Sequence, residues 1–137
     1  MARAHPTPTY DGLIAFYPCQ DLAATRDFYT RDLGLTLVRE QETCLIFRVA
    51  AAGYVGFCQL EAVLVKVEPT ELPSHNAFII TLLSDDVEAV YKRCLELNIE
   101  TEGAPRHNSK YNIEHFFAQD PDGYRIEIQR FLEPLPS

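Results

Sequence analysis

Short apolar runs and amphipathic stretches alternate along this chain, and the whole series occurs twice. Leu13 to Tyr17 is an apolar run bounded by Gly12 and Pro18, the mark of a buried strand. Asp21 then offers an N-cap oxygen to a helix reaching Asp32, with Ala24, Phe28 and Leu33 along one stripe. Gly34 supplies the left-handed residue that ends it. Strands are predicted at Leu35 to Arg39, Cys44 to Val49 and Tyr54 to Leu60. Phe78 to Leu83 restarts the series, and Asp86 caps a second helix that turns Val87, Val90, Tyr91, Cys94 and Leu95 inward. Asn98, which tolerates the left-handed conformation, stands where Gly34 stood. Strands at 100–101, 114–119 and 124–131 complete the second series, with a polar, mobile loop expected over 103–112.

The repeated unit is too long for a solenoid, so the pattern predicts a duplicated half-domain. The fold class is α+β: two βαβββ modules forming a curved mixed sheet around a pocket. Residues 1–11 are expected to be a flexible tail. Residues 12–133 form one domain, with halves 12–66 and 76–133 joined by a linker, 67–75, that carries Pro69 and Pro73.

One hairpin can be read side chain by side chain. Asp120-Pro121-Asp122-Gly123 has Pro where a type I turn fixes φ and Gly where a left-handed residue is needed, which predicts a three-residue loop with a G1 bulge. Phe117 then faces Glu127, and His115 faces Gln129. Alternation puts Phe116, Ala118, Tyr124, Ile126 and Ile128 under the helices. His115, Phe117, Gln119, Arg125, Glu127 and Gln129 take the opposite face. Aligning Gly53-Tyr54 with Gly123-Tyr124 makes Phe57 the counterpart of Glu127 and Gln59 that of Gln129. Val55, Phe57, Gln59 and Glu61 then form the matching face of the first half, while Cys58 joins Tyr54 and Gly56 on the core side. A face apolar in one copy and polar in the other predicts a half-apolar pocket with a polar end.

Composition narrows the partners. The 137 residues are 47% apolar, enough for one core, and the formal charge of −8 argues against nucleic acid or an anionic membrane, both of which need a basic footprint. No apolar segment has spanning length and the N-terminus lacks an apolar signal core, so the expected location is cytoplasmic. Cys19, Cys44, Cys58 and Cys94 form no C-x-x-C pair and are expected to be reduced, mostly buried thiols. His5, His75 and His107 fall in tail, linker or loop, where solvation is the expectation.

Two stretches carry a family resemblance: Asp21 through Asp27-Phe28-Tyr29 to Asp32-Leu33-Gly34-Leu35, and the hairpin from Asp120 to Glu127. With the doubled βαβββ pattern from Gly12 to Phe131, the chain resembles the vicinal oxygen chelate superfamily of glyoxalases, bleomycin resistance proteins and extradiol dioxygenases. The resemblance implies a pocket built by paired units, and a homodimer whose pockets draw on both chains. It also implies four metal-ligand positions, which fall at Ile14, Phe57, Ile79 and Glu127. Three of these are hydrocarbon, and a lone carboxylate does not hold a divalent ion against water. No metal and no other cofactor is therefore expected.

Two functions lead, and a pure interaction domain with a filled interior is the third reading, expected if no pocket forms at Glu127. The first is a metal-independent small-molecule-binding protein, its pocket lined by Ile14, Phe16, Val55, Phe57, Gln59, Ile79, Thr81, Phe117 and Gln129, with Glu127 and His115 as polar end. The second is an enzyme of lyase, isomerase or dioxygenase type, using Glu127 with His115 as acid and base or within an atypical metal site. Arg106, His107, Lys110 and Tyr111 offer a cationic lid for an acidic ligand. The plain alternative for Glu127 is a surface pair with Arg125.

Overall fold

The computed structural model describes residues 10–59 and 78–133; the tail, the linker at 67–75 and Glu61 lie outside them. In the first half β1 (Leu13–Cys19) leads to α1 (Leu22–Asp27), β2 (Thr36–Glu40), β3 (Cys44–Ala50) and β4 (Gly53–Gln59). The second half follows with β5 (Ile79–Leu83), α2 (Val87–Glu96), β6 (Arg106–Asn108), β7 (Ile113–Gln119) and β8 (Arg125–Phe131). Each half is a four-stranded mixed sheet, ordered β1-β4-β3-β2 and β5-β8-β7-β6, with its first strand parallel to its last. Among the described residues, no helix is long and apolar enough to cross a membrane.

Asp21 accepts from the amides of Ala23 and Ala24, and Asp86 from that of Ala89, so both expected N-caps form. After α1 the chain widens into a π-helical turn, Phe28–Asp32, in which Leu33 N–H reaches the Phe28 carbonyl. The five-residue step from Phe28 to Leu33 matches that wider turn. Gly34 at φ 78° and Asn98 at φ 56° end the two helical segments in the left-handed region. Val87 and Cys94 are buried on α2, but Leu95 is 52% exposed. It lies at the flank of the stripe through Val87, Val90 or Tyr91, and Cys94, so its expected burial is corrected.

The edge strand of the second sheet also differs from expectation. Residues 100–101 contribute only a single bridge, Thr101 to Ala118, and the strand forms at Arg106–Asn108, inside the segment expected to be a mobile loop. Gly103 at φ 109° turns the chain before Pro105, and continuous pairing with β7 begins beyond that turn.

The closing hairpin has the expected register, Phe117 opposite Glu127 and His115 opposite Gln129. Gly123 sits at φ 90°, its N–H on the Asp120 carbonyl, while Asp120 N–H reaches the Tyr124 carbonyl. Phe116, Ala118, Tyr124, Ile126 and Ile128 are all buried under the helices.

The first-half hairpin breaks the assumed equivalence. Its turn is Ala51-Ala52, and the β3–β4 register shifts between Arg48 and Ala50, so its length differs from that of the Asp120–Gly123 loop. A shift of one residue moves every side chain to the other face. Phe16 and Thr81 each precede their helix cap by five residues; Phe16 pairs with Gly56 as Thr81 pairs with Glu127. Gly56 therefore stands in Glu127's place. Phe57 is fully buried, its ring 4.5 Å from that of Tyr29, and Val55 is buried beside it. Val55, Phe57 and Gln59 belong to the helix-facing side and are withdrawn as pocket residues. Tyr54, Gly56 and Cys58 take the other face, reversing the expectation for Cys58.

Cys58 and Cys44 lie directly opposite each other across β3 and β4, their Cα atoms 4.2 Å apart, and form a disulfide. The expectation of four free thiols is corrected to two. Cys19 and Cys94 remain free and buried; burial pushes the Cys19 thiol up to about 11 and raises that of Cys94, which keeps both protonated.

One core joins the halves, running from Phe47, Phe57 and Tyr29 to Ile80, Phe116 and Ile126. Buried Asp120 ties it together. One oxygen accepts the amides of Asp122 and Tyr124, and the other accepts the Tyr29 hydroxyl at 2.8 Å. Tyr124 donates its hydroxyl to the Pro18 carbonyl, and the Gln20 amide donates to Asp122. Arg93 on α2 donates to the carbonyls of Arg31 and Asp32 at the end of the π-helical turn.

Two expectations follow. Replacing Phe57 by Ala removes a core ring and should cost about 3–5 kcal/mol in denaturant unfolding; a loss under about 1 kcal/mol would contradict its placement. Burial pushes Asp120 up to about 6, above the ordinary 3.8, so folding favours its protonated form. That contribution is complete below pH 4 and is lost as pH rises through 6. Asp120→Asn keeps the shape, so the stability difference between wild type and variant should change by about 2–3 kcal/mol between pH 4 and 7. A difference independent of pH would contradict it.

Candidate functional site

The second sheet's face away from the helices carries a cavity of about 450 Å³. Its walls are Ile79 from β5, Ile113 and Phe117 from β7, Phe131 from β8 and Tyr111 from the turn before β7; its polar lining is Asn108, His115, Glu127 and Gln129. Alternation explains the grouping. Residues 113, 115 and 117 share a face on β7, as 127, 129 and 131 do on β8, and β5 brings Thr81 beside Glu127.

The polar end is a closed hydrogen-bond cluster. His115 Nδ1 lies 2.7 Å from Glu127 Oε2, with the two side chains only 10% and 12% exposed. Thr81 donates its hydroxyl to Glu127 Oε1 at 2.8 Å. The Gln129 side-chain amide, with its NH2 turned toward the carboxylate, reaches both oxygens at 3.1 Å. The His115 ring also packs edge-on to Phe117, centroids 5.2 Å apart. Outside it, the Arg125 guanidinium covers Phe117 at 3.9 Å and forks onto Glu102 at 2.8 and 3.0 Å. Arg125 thus serves Glu102, which corrects the surface pair considered for Glu127.

The sequence-derived residues divide into three groups. His115, Glu127, Gln129, Phe117 and Ile79 come together at the cavity, and Thr81 holds its carboxylate. Val55, Phe57 and Gln59 face the helices. Ile14 and Phe16 project from the first sheet, 41% and 54% exposed, outside this cavity, with the Phe16 ring covering Gly56. In the expected lid, Tyr111 lines the cavity and the Lys110 ammonium lies 5.2 Å from its ring, whereas Arg106 and His107 are exposed strand residues.

Asn108, Ile113 and Phe131 were missed. Continuing the alternation from Glu127 and Gln129 reaches Phe131, and from His115 back reaches Ile113. Asn108 carried a weaker signal: its side-chain oxygen accepts the amides of Lys110 and Tyr111, the turn that an Asn before Ser-Lys favours.

The four positions implied for a metal do not fit a divalent ion. Ile14 and Ile79 bear no side-chain donor, nor does Gly56, which takes the place expected for Phe57. Both Glu127 oxygens are already engaged, and no cluster of three or more His, Cys, Asp or Glu suited to a metal exists among the described residues.

Solved structures share this architecture. A glyoxalase/bleomycin resistance protein/dioxygenase from Nocardioides superposes with a TM-score of 0.74 at 20% identity, covering 98% of this chain and 91% of its own. Lactoylglutathione lyase from Agrobacterium tumefaciens gives 0.70 at 18% identity, covering 90% and 96%. TioX from Micromonospora sp. ML1 gives 0.74 at 13% identity, covering 88% and 98%. At these identities the likeness concerns the fold. No protein of curated function matches the chain. The sequence itself matches the family over residues 12–128, and with the paired βαβββ halves this chain belongs to the Glyoxalase/Bleomycin resistance protein/Dioxygenase superfamily.

Proposed function

We propose that the chain is a metal-independent small-molecule-binding protein whose site is the second-half cavity. The observation that carries this reading is the sheltered pairing of His115 with Glu127 at the polar end of a mainly apolar cavity. A volume of about 450 Å³ suits a small organic ligand, and a few fixed polar groups in an apolar lining provide orientation. With the carboxylate's oxygens held by Thr81, His115 and Gln129, a ligand meets an organised surface rather than a vacant coordination shell.

The same pairing favours a second reading, metal-free acid–base catalysis. A carboxylate on Nδ1 orients the imidazole so that its other nitrogen exchanges a proton with a bound molecule, and Glu127 then acts by holding His115. The cavity is also open on the side facing away from the helices. Ile14 and Phe16 leave a matching apolar surface on the first sheet, and a second copy of the chain is the proposed cover.

Treatment with EDTA should leave the melting temperature unchanged. An ion present at a hundredfold its dissociation constant contributes about 2.7 kcal/mol, so loss of a structural metal would lower the midpoint by several degrees. Fragment-screening by amide chemical shifts should move residues of β5, β7 and β8 equally before and after EDTA; shifts that require added metal would overturn the proposal. Light scattering should give twice the chain mass, and Phe16→Glu should halve it; a monomeric wild type would remove the second copy.

A further inference from the structure

The chemistry of one carboxylate decides what this cavity can recognise. An ionised carboxylate only accepts hydrogen bonds, so every polar group held against it must donate. Thr81 gives its hydroxyl, Gln129 its NH2, and His115 the proton on Nδ1. The neutral imidazole is therefore the Nδ1–H form, and Nε2, which has no hydrogen bond among the described residues, presents a lone pair. Gln129 is left with its carbonyl oxygen. At the Glu127 end the donors are consumed on the carboxylate and acceptors remain for the ligand; the NH2 of Asn108, whose oxygen takes the amides of Lys110 and Tyr111, belongs to the other end of the lining, opposite Ile113. Of the neighbouring cations, Arg125 forks onto Glu102, and Lys110, 5.2 Å from the Tyr111 ring, is outside the cavity lining. Arg106, opposite His115 across β6 and β7, is exposed and outside the cavity lining.

We propose that the cavity selects flat apolar molecules ending in an uncharged hydrogen-bond donor such as a hydroxyl, and discriminates against the same body ending in a carboxylate. The donor is received by His115 Nε2, and the apolar body lies against Phe117, Phe131 and Ile79. A carboxylate in the same place sets its lone pairs against that of Nε2 and its charge beside Glu127. A ligand capped so that it can only accept leaves Nε2 desolvated and unpaired, which is the costly arrangement. This specificity rests on the binding-site reading above.

The test uses the full chain at neutral pH with 2-naphthol, 2-methoxynaphthalene and 2-naphthoate, followed by chemical shifts of the cavity residues. The naphthol should bind about tenfold more tightly than its methyl ether, equivalent to about 1.4 kcal/mol, with the naphthoate weakest. Nitrogen-15 shifts of the His115 ring should report the Nδ1–H form. In Glu127→Gln, Thr81 continues to donate to the side-chain oxygen, so the new NH2 faces Nδ1. The ring proton then moves to Nε2, and the preference between naphthol and naphthoate should reverse. Equal binding of the three probes, or an Nε2–H ring in the wild type, overturns the donor rule while leaving the cavity a binding site. No shift at any cavity residue with any probe overturns both. The wild-type ring measurement decides the matter even if Glu127→Gln does not fold.

Discussion

The Asp120 carboxylate is the constraint on which the rest of this structure depends. One oxygen holds the amides of Asp122 and Tyr124 and so fixes the turn that begins β8; the other accepts the Tyr29 hydroxyl from the first half. The first role decides which side chains of β8 face outward, because the parity of a strand is set by the turn that starts it. The second docks the two halves through a buried hydrogen bond to a charged or titrating group, a stronger contact than one between neutral partners. Burial of the carboxylate carries a cost, visible in its raised pKa, and three hydrogen bonds offset it.

From that turn the chemistry of the cavity follows with little freedom. Once Glu127 faces away from the helices, β5 brings Thr81 beside it, and β7 brings His115 and Phe117. The polar cluster is therefore a product of three strands, while the helices contribute only the core beneath it. Its ordered state comes from mutual satisfaction: two carboxylate oxygens meet a hydroxyl, an imidazole nitrogen and an amide. Phe117 links this cluster to the Arg125–Glu102 fork at the outer edge, so the His115 ring is supported from both sides.

The duplicated halves have diverged in the property that matters most for a site. The first presents Gly56 under the Phe16 ring where the second presents Glu127, and it carries the Cys44–Cys58 disulfide between β3 and β4. One half carries the polar cluster on its open face, and the other presents Ile14 and Phe16 there, beside Arg48 over Tyr54. That asymmetry is consistent with one half recognising a ligand and the other covering it.

How much of this was legible in the chain depended on whether local rules sufficed. Caps at Asp21 and Asp86, stops at Gly34 and Asn98, and the Asp120–Gly123 hairpin register could be read because each depends on a few adjacent residues with specific backbone needs. The grouping of His115, Phe117, Glu127 and Gln129 followed from alternation alone. The placement of Phe57 did not, because the Ala51-Ala52 turn is one residue out of step with its counterpart, and composition cannot reveal that frame. Nor could the sequence announce the Cys44–Cys58 bond, which needs the two strands in register, or the choice of Arg125 for Glu102 over Glu127. The sequence by itself determined the doubling, the family and the elements other than the edge strand of the second sheet. Only the tertiary structure decided which face each strand of the first half shows and which partner each charge takes, since both depend on contacts between residues far apart in the chain.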